Sequence, residues 1–503
     1  MNFLHKPLSL RVMAALLLAA LVLPIASCSE EPAVPETPDT TASAESTTAP
    51  AETEPEPEVE ITRENYPDTL PELDLQNSTV NIYVNTDALY SVDWVAEQTG
   101  DLIQDAVYSR NLAVEERLNV KLNPQMIHSS SPAKSQPLLT AIMAGDSEIQ
   151  IINIAAQSTT MFMQSGVLYN LPDLKYLDFD MPWWNQDVMD ICTYNGRAFF
   201  ATGEIAFRYL DGMSVVLFNT KLAADNNIGD LYQLFFDGKW TYDKMYEYAE
   251  TAKRDLNGDG SMTLDDMWGL ATNGYACMDP WYAAWDHAIT KMDIDGFPEL
   301  CLNDEKMVSM VEKLYKLFWE NPGVSTLAGT YTNMKFRDVF IDGRALFETD
   351  TLYALTLMRE VPFEFGVLTY PKFDENQENY YTHNRNGYSL YSIASPAKEP
   401  DAAAAVLEAA AAESYRSVTK VYLEDGLKLK FSRDSETGKV IDIMLAHTKT
   451  DFAFFTDIMY MLRNVLKNSQ TQSPNFASFY ASNENTYQAI LDQMKTEFMK
   501  TAG

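Results

Sequence analysis

The chain has 503 residues with 37 Lys and Arg against 72 Asp and Glu, a formal net charge of −35. That length exceeds what one hydrophobic core usually serves, and 46% hydrophobic with 12% aromatic residues supplies material for two. The acidity, with no Lys/Arg cluster anywhere, excludes a phosphate-backbone partner such as nucleic acid and disfavours an anionic bilayer surface.

The first 28 residues read as an address. Lys6 and Arg11 form a short positive region, and an apolar run from Val12 to Ile25 follows. The run has the length of a signal-peptide core and is too short to span a bilayer comfortably. It ends in Ile25-Ala26-Ser27-Cys28, which resembles a bacterial lipobox, so cleavage before Cys28 and lipidation of its thiol are expected. From Ser29 to Glu60 there are six Pro, ten Asp/Glu and no Lys or Arg. Such a segment buries no apolar surface and predicts a disordered tether, with the folded body starting at Ile61. Cys192, Cys277 and Cys301 are an odd set without metal-ligand spacing and read as small buried apolar side chains.

In the body, Ser78 to Val84 is a β-branched strand, followed by a helix over Asp101 to Leu118, a short strand Val120 to Leu122 and a helix Ala133 to Met143. Ile149 to Ile154, Val215 to Phe218 and Ala345 to Phe347 are apolar runs of the parallel-sheet kind. Later helices are expected over Tyr242 to Arg254, Glu305 to Glu320, Asp401 to Glu413, Thr456 to Lys467 and Asn483 to Lys500. Alternating strands and helices without a 20–50-residue repeat predict an α/β chain of two lobes.

Several segments, in order, carry a resemblance. Met143 to Asp146, Ile149 to Ile154, Gln164 to Leu168, Asn195 to Phe199, Val216 to Lys221, Asp237 to Thr241, Gly343 to Phe347, Phe365 to Lys372 and Ala394 to Ala397 resemble the extracellular solute-binding proteins of ABC importers, the group that contains maltose-binding protein. Asp105 to Asn111 and Pro182-Trp-Trp-Asn185 look like a lipoprotein branch of that group. The resemblance implies a two-lobe periplasmic-binding-protein-like fold (type II) with ligand held in the interlobe cleft. It implies lobe 1 from 61–208 plus 369–412 and lobe 2 from 209–368 plus 413–503. The implied function is a monomeric receptor on the outer face of the bacterial cell membrane. It would capture a carbohydrate, most simply an oligosaccharide, by lobe closure and deliver it to ABC permease subunits.

Sugar recognition needs aromatic planes and planar polar side chains. Positions carried over from the resemblance are Gln157 and Ser158 after the buried strand, Asp211 before Val215, and Asp279, Trp281, Tyr282 and Trp285 as an aromatic segment. Thr349, Asp350 and Tyr353 would form a further ligand loop and Phe454 a late aromatic wall. Asp350-Thr-Leu352 replaces the Gly-Pro-Trp common in maltose receptors, which argues against a malto-oligosaccharide. Trp183 and Trp184 read as packing mass between lobes.

Asp255-Leu-Asn257-Gly-Asp259-Gly260-Ser261-Met-Thr-Leu-Asp-Asp266 matches a twelve-residue EF-hand-type calcium loop at its key positions. Asp255, Asn257, Asp259, Ser261 and Asp266 would be the ligands of a structural Ca2+. Position twelve is the shorter Asp where Glu is usual, which resembles a dockerin loop, and the alternative is an Asx-rich turn without metal. An enzyme is not expected: five scattered His, no His-Glu-x-x-His, no Gly-x-Ser-x-Gly elbow, no P-loop. The alternatives to a receptor are a surface-anchored glycan hydrolase, using two of the many carboxylates, and a non-importing glycan adhesin or sensor.

Overall fold

The computed structural model describes residues 60–85, 92–128, 131–273, 276–326, 335–385, 388–431, 434–466 and 474–500. Cys28, the signal segment and the tether up to residue 59 lie outside the described residues. Residues from Ile61 onward form one compact unit.

Two sheets organise that unit. The first has strand order β9-β3-β1-β2, where β1 is Ser78–Asn85, β2 Val120–Ile127, β3 Ile151–Ala155 and β9 Ser389–Ile393. β1 runs parallel to β2 and β3, and β9 pairs antiparallel with β3. The second has order β6-β5-β7-β4-β8, with β4 Ser214–Asn219, β5 Trp268–Ala271, β6 Val324–Ser325, β7 Ala345–Thr351 and β8 Phe365–Leu368. Here β5 is parallel to β6 and β7, but β4 is antiparallel to both neighbours. The apolar run at 214–219 therefore reports burial on both faces, all six residues being buried, and says nothing about strand direction.

Helix α1 (Leu102–Leu118) starts where Asp101 caps it by accepting from the Ile103 and Gln104 amides, and it stops at Asn119 in the left-handed region. Helix α2 (Tyr242–Ala252) lies on β5 so closely that a Cβ on Gly269 would stand 1.8 Å from the Ala249 carbonyl oxygen. Helix α3 (Pro400–Glu413) is Ala-rich and almost wholly buried in the first lobe. Helix α4 (Phe476–Lys500) straddles the lobes: Phe498 meets Tyr194 and Phe199 of the first, and Lys495 reaches Asp293 of the second.

The chain crosses between lobes three times. The first crossing is the 3-10 segment Glu204–Gly212 before β4, the second leads from β8 back to β9, and the third is the helical run after α3, from Ser414 to Phe431. Residues 369–385, expected in lobe 1, bond with lobe-2 elements instead. Trp240 Nε1 donates to Thr369 O at 3.0 Å, the Tyr242 amide to Lys372 O at 2.8 Å, and the Thr382 amide to His447 O at 3.0 Å. The return to the first lobe thus comes at β9, about twenty residues later than expected.

The first described residues form a strap over two crossings. Arg63 pairs with Glu204 at 2.6 Å, donates to Tyr415 O at 2.7 Å and lies 3.9 Å above the Tyr415 ring. Asp68 sits between Arg117 and Arg416, each at 2.6 Å, and Lys420 pairs with Glu64.

Candidate functional site

The polar groups that both lobes contribute collect around the first crossing. On the first-lobe side, Asp93 is 1% exposed; its Oδ2 accepts from Ser389 Oγ at 2.7 Å and from Tyr391 OH at 2.9 Å, both hydroxyls on β9. Arg110 of α1 donates to Asp93 O and to Ser414 Oγ at 3.0 Å, and its guanidinium lies 4.7 Å from the Trp94 ring. Asn111 Nδ2 donates to Trp94 O at 2.9 Å. The Arg110-Asn111 pair thus holds segment 93–94 in place. Burial lifts the Asp93 carboxyl to about 7 against the pull of its hydroxyl donors, and lowers Arg110 to about 10.

Arg208 and Asp211 share one face of the 3-10 segment, three residues apart, with Nε to Oδ2 at 2.5 Å. Tyr422 OH from the third crossing donates to the other Asp211 oxygen, the Tyr353 amide donates to Asp211 O at 3.2 Å, and Arg208 lies 5.7 Å from the Tyr353 ring. The charge of Arg208 acts on Asp93 of the first lobe as well as on Asp211. Burial raises the Asp211 carboxyl, and Arg208 opposes it.

On the second-lobe side, Asp279 and Arg463 form a bidentate pair, Nε to Oδ1 at 2.9 Å, with both side chains almost inaccessible. Trp281 is fully buried, edge-on to Tyr370 with centroids 5.0 Å apart, and its Nε1 has no hydrogen-bond acceptor. His383 stacks on Phe454 at 4.0 Å with neither ring nitrogen bonded; burial holds the imidazole neutral, near 3, as do the charges of Arg385 and Arg463. The lobes meet beside it, where Thr160 Oγ1 donates to Phe455 O at 3.0 Å.

The sequence-proposed residues divide accordingly. Asp211 and Tyr353 come together, as do Asp279, Trp281 and Tyr282, and Phe454 joins them through His383. Gln157 and Ser158 occupy the turn Ala156–Ser158 that packs on the Phe452–Phe455 turn, and Ser158 Oγ lies 3.2 Å from Ser135 Oγ. Trp285 does not reach this surface: its Nε1 donates to Pro371 O at 3.1 Å and its ring is walled by Tyr242 and Phe373. Thr349 bonds Thr272 at 2.6 Å inside the second sheet, and Asp350 is held by Arg337. These three are packing and sheet-interior residues. Asp93, Arg208, His383 and Arg463 escaped sequence reasoning, because each gains its place from partners 100 or more residues away or from a crossing whose position periodicity does not set. Trp183 and Trp184 carry a partner of their own: their indole nitrogens donate to Glu408 at 2.9 and 3.1 Å.

Loop 255–266 folds as a tight acidic turn. Asp255 accepts from the Gly258 and Gly260 amides, both at 2.7 Å, with Gly260 at φ +83° where a side chain would be strained. Asp266, 1% exposed, accepts from the Leu256 and Thr263 amides at 2.9 and 2.7 Å. Among the described residues no three His, Cys, Asp or Glu side chains gather as they would around an ion. An ion would have to draw Asp266 away from Thr263.

No family model and no curated protein matches the chain. Solved structures do. A cyclo/maltodextrin-binding protein complexed with maltotetraose is 14% identical, covering 84% of this chain and 96% of its own, with a TM-score of 0.53. An ABC transporter solute-binding protein from Thermotoga lettingae, bound with α-D-tagatose, is 14% identical over 82% of this chain and 100% of its own, with a TM-score of 0.52. The maltose-maltodextrin binding protein of Alicyclobacillus acidocaldarius is 14% identical over 80% and 99%, with a TM-score of 0.51. The fold is that of the two-lobe solute-binding proteins.

Proposed function

We propose that this chain is the extracytoplasmic receptor of an ABC importer, anchored through Cys28, which captures a carbohydrate between its lobes and delivers it to permease subunits. The observation that carries the reading is a set of buried polar atoms without a hydrogen-bond partner in both lobes: Asp93 Oδ1 and Asn153 Oδ1 in the first, Trp281 Nε1 and both His383 nitrogens on the second-lobe side. Each such atom costs about 1–3 kcal/mol when left unbonded. Uncovered by lobe opening, they would offer donors and acceptors beside aromatic rings, which is what a sugar's hydroxyl edges and apolar face require. The sugars bound by the similar structures support the same class. Lobe closure around ligand then follows from contacts available only when both lobes touch it. The proposed role is binding and not turnover.

The test is thermal melting of the body from Ile61 against oligosaccharides, monosaccharides, peptides and amines. A ligand that binds only the native state raises the melting temperature. One oligosaccharide class should do so, and Asp211→Ala should weaken it at least about tenfold, about 1.4 kcal/mol. Shifts from peptides alone, or release of cleaved glycan, would overturn the reading.

We also propose that loop 255–266 takes one Ca2+ through Asp255, Asn257, Asp259, Ser261 and Asp266, fastening a surface turn of the second lobe. The oxygen pattern and the left-handed glycines support it. Chelator should lower the melting temperature of the parent and leave Asp255→Ala unchanged; equal melting with and without calcium refutes the site.

A further inference from the structure

The first crossing has a second working face. Arg208 and Asp211 point one way; Phe207, Tyr209 and Leu210 line a cavity of about 310 Å³ on the other. Its walls come from both lobes: the turn Trp183 to Asp187 of the first, and Leu445 and Thr448 of the second. None of the sequence-proposed ligand residues lines it.

We infer that this cavity binds a small organic cation, such as a quaternary or primary amine. Trp184, Tyr209 and Phe207 line it, and aromatic rings attract cations. Two carboxylates, Asp187 and Glu204, lie in the lining, which contains no Lys or Arg. Glu204 already has Arg63 as its counter-charge. Asp187 has no ion-pair partner among the described residues, and partial burial with the like charge of Asp190 pushes its carboxyl up. A bound cation would relieve that repulsion. The Tyr209 hydroxyl is a further buried acceptor: Asn185, Asn384 and Thr450 stand near it, yet none completes a hydrogen bond. An ammonium N–H, or a water bridging to one, would use that oxygen. An anion would meet two carboxylates and no basic side chain in the lining.

Choline and putrescine are the probes, titrated calorimetrically into the body from Ile61 up to about 10 mM, where millimolar affinities register. Potassium chloride at matched ionic strength is the control. Asp187→Asn, at an exposed position, should weaken binding at least about tenfold, and Leu445→Trp, which fills the cavity, should abolish it. Asp211→Ala, on the opposite face, should leave amine binding unchanged. Heat equal to that of potassium chloride, or amine binding indifferent to both cavity variants, overturns the inference. Loss only in Asp211→Ala would move the amine into the cleft and overturn it equally.

Discussion

Glu408 shows how far a single side chain can be committed by its surroundings. It is fully buried on an Ala-rich helix, and both carboxylate oxygens are taken by indole N–H groups of Trp183 and Trp184. Burial nevertheless outweighs these donors and lifts the carboxyl to about 7. In the unfolded chain a glutamate titrates at about 4.3. Between those values the folded state keeps a proton that the unfolded state has released, so this group's contribution to stability is greatest below about pH 4 and falls as pH rises toward 7. Glu408→Gln removes this titration. Urea midpoints at pH 5 and 7.5 should therefore differ less in the variant, by about 3 kcal/mol at most; the same pH dependence in both proteins would refute the assignment. Asp279 and Arg463 call for a different test. Arg463→Met alone strands a buried carboxylate and should cost about 3–5 kcal/mol, whereas Asp279→Leu with Arg463→Met should recover most of it. Additive losses would mean the two residues do not act as a pair. Of these residues Asp279, Trp183 and Trp184 were legible beforehand, and Glu408 and Arg463 were not. An Asp-Pro-Trp-Tyr run advertises itself in sequence, whereas an Arg 184 positions away does not.

At the level of elements, the sequence was more generous. Strand 78–85, helix α1 and the Ala-rich α3 lie within a residue or two of where periodicity and capping put them, because their hydrophobic pattern and end residues agree. Direction was not legible: β4 and β7 are buried on both faces, and the resulting apolar run is the same whether a neighbour is parallel or antiparallel. Close approach of elements is equally hidden, although a glycine can mark it. Gly269 and Gly323 both face Ala249, whose carbonyl a Cβ on either would overlap at 1.8 and 1.9 Å. Gly269→Ala should push α2 off β5 and cost about 1–3 kcal/mol in chemical denaturation. A variant as stable as the parent would mean that the helix can shift without loss.

For the whole molecule, the two-lobe architecture was readable from the order of many weak segments. The points of crossing were not, since they depend on which sheet a connecting loop bonds to. The loop 369–385 and helix α4 both departed from the expected partition for that reason. The strap is a third such feature. Asp68 is held by two arginines well below the usual carboxylate range, at about 2, even though burial opposes the shift. Asp68→Asn should loosen it and lower the melting temperature at neutral pH, an effect that fades as acid protonates the parent's own carboxylate toward pH 2.

The strap also fixes where force enters the body. Arg63, Glu64 and Asp68 fasten the chain to residues 204, 415, 416 and 420 on crossing segments, and Asp68 also to Arg117 on α1 of the first lobe. A pull along the backbone at Ile61 therefore acts mainly on the crossings, close to the junction of the lobes. Under the proposed function, tension on a tether there would exert little torque about an axis through the crossings, and the balance between open and closed lobes would be left to the ligand.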